Sequence, residues 1–209
     1  MNIFVFDKDP VVCGKALCSK HQKMILESAQ LLSSAHHVLD KEEAIKGIYK
    51  LAHLNHPSTV WTRTTGANYD WLFQAFEAML DEFERRGGRR HKSGELLILL
   101  KNKPKNIPKG KLQVPLVAML EEFRLNDGKT WEDVIASYKN YYVKAKTFAA
   151  WLNTRPPEWF IEERAKHGSK MYTQDHPNGV EYRFTEPSSR KEESKIRSPL
   201  RAFLRNMKQ

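Results

Sequence analysis

Apolar positions along the chain fall mostly at helical spacing. The clearest run covers Tyr69 to about Arg86, where Leu72, Phe73, Phe76, Met79, Leu80 and Phe83 make one stripe and Gly87-Gly88 supplies the stop. A second helix is predicted over Ala16–Ala35. Its Met24, Ile25, Ala29 and Leu32 fall on one side, and Lys20, Lys23, Glu27, Gln30 and Ser34 line the other. Asp9-Pro10 reads as an N-cap followed by proline at the first helical position, opening a short helix to about Leu17. Shorter helices are expected over Lys41–Lys50, Glu95–Leu100 and Pro115–Phe123, and a longer one over Trp131–Trp151. His36-His37 and Asp40 are expected to mark the end of the second helix and the next turn.

Two stretches read as strands. Asn2–Asp7, with Ile3, Phe4, Val5 and Phe6 in a row, has the composition of a short buried strand, and Val180–Thr185 alternates. The two are candidates for pairing. The pattern therefore predicts a mainly α, compact helical domain over residues 1–160. A basic extension over residues 161–209 follows; it is partly flexible, Ser/Lys/Arg-rich from about Pro187 and able to form a short helix near its end when bound.

Composition narrows the function classes. Formal net charge is +10, which points to a polyanionic partner such as double-stranded DNA, because neutralising phosphates releases condensed counterions. Five Trp and seven Tyr add surfaces on which displaced bases can stack. No apolar run reaches the length of a membrane span, so no membrane partner is expected, and Met1–Asp7 lacks the basic start of a signal peptide. The two cysteines, Cys13 and Cys18, have no second pair to complete a zinc site and read as reduced thiols in a cytoplasmic setting. A Walker loop, a dinucleotide fingerprint, a nucleophile elbow and a deaminase zinc signature are all absent, and the acids are scattered. That leaves chemistry without metal or nucleotide cofactor, or binding alone.

The candidate site follows from two stretches taken as facing walls. On the predicted helix, Lys20, Lys23, Glu27 and Gln30 share a column with His21 beside it. Against it, His53–Arg63 packs two imidazoles, an amide, a guanidinium and an indole into eleven positions, including Asn55, His56, Trp61 and Arg63. A Lys23–Glu27 pair four residues apart is either an ordinary surface ion pair or a catalytic one. In the second case the carboxylate stabilises an oxocarbenium-like sugar and the amine attacks it. The cluster Arg89-Arg90-His91-Lys92, just past a helix end, is either a solvated loop or a phosphate clamp.

Two motifs carry a family resemblance. Lys20-His21-Gln22-Lys23-Met24-Ile25-Leu26-Glu27-Ser28-Ala29-Gln30-Leu31-Leu32 and Leu54-Asn55-His56-Pro57-Ser58-Thr59-Val60-Trp61 resemble a group of phage and bacterial proteins related to the pyrimidine-dimer DNA glycosylases of the endonuclease V type. Arg85-Arg86-Gly87 also looks like that family, and the likeness covers roughly residues 1–160. It implies a compact helical protein that kinks duplex DNA, cleaves a glycosidic bond and nicks the strand by β-elimination, acting in the host cytoplasm without metal or cofactor. It implies Glu27 as the catalytic carboxylate. His56, Arg63 and Lys23 would contact the DNA or the reacting sugar. DNA contacts are then expected from Lys20, His21, Gln30, Asn55, Trp61, Arg63, Arg89, Arg90 and Lys92. The family's nucleophile is the α-amine of a small residue exposed when methionine is removed. Here Asn2 follows Met1, and Lys23 is the alternative amine. The expected function is excision of a damaged or modified pyrimidine. The alternatives are hypermodification of a DNA base without cutting the sugar, and a non-catalytic DNA-binding accessory role.

Overall fold

A computed structural model describes residues 1–186. In chain order it has helices α1 (Pro10–Ala16), α2 (Lys23–Asp40), α3 (Pro57–Thr64), α4 (Gly66–Gly87), α5 (Leu97–Leu100), α6 (Trp131–Ala145) and α7 (Glu158–Lys166). Strands β1 (Trp151–Leu152), β2 (Met171–His176) and β3 (Gly179–Phe184) form one antiparallel sheet in the order β1-β3-β2. The fold is mainly helical, as the apolar spacing predicts. None of the described helices is long and apolar enough to cross a membrane.

α4 forms the spine. Thr65 caps its start by accepting the Asn68 N–H, and Gly88 ends it in the left-handed region, at φ +65°, donating to Glu84 O at 2.8 Å. α1 crosses α4 at Gly14, where an added Cβ would lie 2.7 Å from Ala75 O and 2.8 Å from Ala78 Cβ. Only glycine allows that approach. Arg86, buried near the end of α4, donates to the Glu82 carboxylate, to Lys15 O and Leu17 O, and to Ser19 Oγ. That guanidinium fixes the chain leaving α1, and hence where α2 begins.

Five sequence expectations change. Ile3–Phe6 are buried, but no strand forms. Their backbone donors go elsewhere: Ile3 N–H to the Asn2 side chain, and Phe6 and Asp7 N–H to Cys13 Sγ. The expected strand near 180 exists as β3, but its partners are β1 and β2. The predicted Ala16–Ala35 helix is broken over residues 17–22, and α2 runs on to Asp40, taking in His36 and His37. Lys41–Lys50 gives only a 3-10 turn at Lys41–Glu43, with Lys41 at φ 50°, and Pro115–Phe123 gives only a 3-10 turn at Glu121–Phe123.

The first chain segment is sandwiched beneath α6. Phe4 and Phe6 stack edge-on against Tyr142, with centroids 5.3 and 4.9 Å away. Tyr138 and Tyr142 are fully buried there, so both tyrosines belong to the core. The expected boundary near residue 160 falls inside α7, and the basic tail from Pro187 lies outside the described residues.

Candidate active site

α2 places Lys23 and Glu27 one turn apart on one face, with Lys23 Nζ 3.4 Å from Glu27 Oε1. The other carboxylate oxygen, Oε2, accepts the Asn2 backbone N–H at 2.9 Å and stands 3.9 Å from the α-ammonium of Met1. The Glu27 side chain is 14% exposed, and this single carboxylate meets two amines and a backbone donor.

Asn2 is clamped on three sides. Its Oδ1 accepts from Ile3 N–H at 2.8 Å and from the Tyr138 hydroxyl at 2.7 Å, and its Nδ2 donates to Ala118 O at 3.0 Å. The same hydroxyl accepts Ala118 N–H at 3.2 Å. Burial pushes the Tyr138 phenol up, so it remains a neutral donor. One buried tyrosine from α6 therefore ties the start of the chain and the loop at 118 to Glu27.

The second wall comes from α3. His56 is its N-cap, with Nδ1 accepting Ser58 N–H at 3.2 Å. Burial depresses its pKa, and the Met1 α-amine and His53 act in the same direction, against a smaller opposing pull from Glu27. His56 thus lies within electrostatic reach of Glu27 and the amine, and stays neutral at pH 7. An imidazole accepting at Nδ1 carries its proton on Nε2. Arg63, on the last turn of α3, folds back to donate to Leu54 O at 2.8 Å.

α2 and α3 pack against each other, and His56 feels the charge of Glu27 without a bond between them. The other expected contact residues divide. Asn55 is exposed beside His56, and Gln30 is half-buried on the Glu27 face. His21 is 4% exposed, wedged against Phe4 at 4.9 Å, and Trp61 is 4% exposed with its indole donating to Gln113 O. Both are core side chains in this fold, with no face left to offer DNA. Lys20 and Arg89 line a separate cavity of about 180 Å³ with His176 and Asn178, and Lys20 Nζ is 4.0 Å from the buried Glu181. Arg90 pairs with Glu84 at 3.3 Å, and Lys92 is exposed at the start of a 3-10 turn.

Sequence reasoning passed over Asn2, Tyr138 and Ala118. The signal that was present is composition: an asparagine behind Met1 brings a side chain with two donors and an acceptor to the chain start. Among the described residues, no three His, Cys, Asp or Glu side chains come together as a metal-binding group. No protein-family model matches the chain, and neither the curated proteins nor the solved structures compared with it are similar to it.

Proposed function

We propose that the protein is a DNA base-excision enzyme, an N-glycosylase acting on a damaged or modified pyrimidine in double-stranded DNA. The observation that carries this reading is the Glu27 carboxylate bracketed by Lys23 Nζ at 3.4 Å and the Met1 α-amine at 3.9 Å, with neutral His56 within electrostatic reach. The two-motif resemblance and the net charge of +10 agree with it.

In this mechanism an unprotonated amine attacks C1′ of the target nucleotide while the C1′–N bond breaks. The bonding pair leaves with the base, which takes up a proton from water; neutral His56 keeps its Nε2 proton and can offer only a hydrogen bond. Glu27 stabilises positive charge at C1′ and receives the proton that the attacking amine loses. Ring opening then leaves an imine between amine and sugar. Loss of a C2′ proton from that imine expels the 3′ phosphate, which is the nicking step of a glycosylase that is also a lyase. α-Amines as a class are weaker bases than lysine side chains by about 2–3 pK units, so more of an α-amine is free to attack near pH 7.

The test is incubation with UV-irradiated plasmid and with DNA carrying modified pyrimidines, with and without borohydride, which reduces an imine to a stable secondary amine. Released base together with a trapped adduct supports the reading, and peptide mapping of the adduct chooses between Met1 and Lys23. Release without an adduct assigns the attack to water activated by Glu27. DNA that is bound but releases no base refutes excision, and mass analysis of its nucleosides then reads out hypermodification.

A further inference from the structure

The segments that supply Glu27, His56 and the partner of Asn2 each carry exposed leucine or valine side chains. Leu26 lies on α2 between Lys23 and Gln30, Leu54 and Val60 flank His56, and Leu116 and Leu120 stand on the loop that holds Asn2. Leu116 is 56% exposed and Leu120 66%. The loop between α5 and α6 spans residues 101–130 with one 3-10 turn, a length that in a compact protein usually accompanies function.

Its backbone is nonetheless pinned. The N–H of Gln113 donates to Asn68 Oδ1, Gln113 O accepts from the Trp61 indole, and Ala118 is held through both backbone groups by Tyr138 and Asn2. Leu116 sits between these two anchors, next to the buried Pro115. The chain reaches at most about 3.3–3.6 Å per residue, so the Leu116 Cα is no more than about 7 Å from that of Ala118. Ala118 is in turn one side chain removed from the nitrogen bonded to Glu27.

We propose that Leu116 is an insertion wedge: an apolar side chain that enters the base stack of duplex DNA beside the nucleotide opened toward Glu27 and fills the place it leaves. This rests on the base-excision reading above. A glycosylase must take its target out of the stack, and apolar side chains inserted between base steps are a known way to hold the step open. A wedge works only on a backbone that does not yield, and the two anchors supply that. Lys109 and Lys111, upstream on the same loop and in no ion pair among the described residues, suit a path along the phosphates. Leu120 is the poorer candidate, because Glu121 and Glu122 follow it directly and repel the DNA backbone. It serves as the internal control.

The experiment uses the full chain and a duplex oligonucleotide with a thymine dimer and 2-aminopurine opposite it. Binding of the native protein should raise 2-aminopurine fluorescence as the step unstacks. Leu116→Ala should lose most of that rise and slow base release about tenfold or more, the scale of one stacking contact. Leu116→Met should restore both, and Leu120→Ala should leave both in place. The proposal is overturned if native binding leaves fluorescence flat or if Leu116→Ala unstacks the step as well as native. Sedimentation showing a native dimer that Leu116→Ala dissociates also overturns it and makes the ridge a face between two copies. Unstacking without release of base refutes excision but leaves the wedge standing, so the two readings fail separately.

Discussion

Glu27→Gln separates chemistry from architecture at the proposed site. Glutamine has nearly the same shape, and its carbonyl can still accept the Asn2 N–H that Oε2 accepts at 2.9 Å. What disappears is charge. The pair with Lys23 contributes little, because the Lys23 side chain is 69% exposed and such pairs are worth about 0.2–1 kcal/mol. Weakening the charge-assisted bond to Asn2 adds roughly 0.5–1 kcal/mol. The expected loss of stability is therefore about 1–2 kcal/mol, or a few degrees in Tm for a chain of this size. If Glu27 stabilises charge at C1′, base release should instead fall about 10²–10³-fold, equivalent to roughly 3–4 kcal/mol in the barrier. Urea unfolding followed by circular dichroism gives the first number, and single-turnover base release gives the second. Activity within about threefold of native in a folded variant refutes the catalytic role. A stability loss far above 2 kcal/mol would instead make Glu27 a structural anchor for the chain start.

Three further outcomes follow from particular side chains. Arg86→Met leaves the Glu82 carboxylate with Arg85 alone and strips the part-buried Lys15 carbonyl and the buried Leu17 carbonyl of their donor; about 3–5 kcal/mol should be lost in urea unfolding, and a loss below about 1 kcal/mol would sink the account of how α2 is positioned. His21 is pushed down to about 3 by burial, with Lys146 and Lys23 adding to it, so below pH 6.5 the unfolded chain takes up a proton that the native chain refuses. Native stability should fall with acid by about 1.4 kcal/mol per full pH unit from this group, and His21→Phe should remove that share; parallel pH profiles for the two proteins would contradict it. Among the described residues Arg89, Lys92, Lys101, Lys109 and Lys111 make no ion pair, and if all five meet phosphates, duplex affinity should drop about 500-fold between 50 and 200 mM salt. A flat response by fluorescence anisotropy would remove them from the interface.

The elements that were legible in sequence are those whose local signals agree. α4 has six apolar residues at helical spacing and a Gly-Gly stop, and it runs Gly66–Gly87. α1 has both an aspartate cap and a proline at its first position, and it starts at Pro10. Where local signals were ambiguous, long-range bonds decided. Ile3–Phe6 is a continuous apolar run, which a buried strand and any other buried segment share. The amides at its two ends, Ile3 and Phe6, found side-chain acceptors in place of a ladder. Leu116, Leu120 and Phe123 mimic a helical stripe, yet Ala118 and Phe123 spend their backbone groups on Tyr138, Asn2 and Asn140. A helix there would have to break those bonds, and Pro115 supplies no N–H to help start one.

The same division governs the site. Lys23 and Glu27 were readable because helical spacing fixes their proximity whatever surrounds them. His56 stood out through the Leu54–Trp61 motif, whereas its place as the N-cap of α3 did not, because no helix was expected there. Residue type alone misled at His21 and Trp61, where aromatic surface was worth more in the core than at an interface. The bonds that turn Glu27 from a surface acid into a held one come from Asn2, 25 positions away, and from Tyr138, 136 positions beyond Asn2. No local pattern encodes a contact at that separation. A tyrosine on an amphipathic helix reads as core, and Tyr138 is core; its single hydroxyl is nevertheless what aligns the chain start, the loop at Ala118 and the carboxylate. Tyr138→Phe keeps the ring and deletes only that alignment, so it should slow base release while leaving duplex affinity unchanged. If both stay at native levels, the Asn2 clamp is dispensable and Glu27 is held by α2 alone.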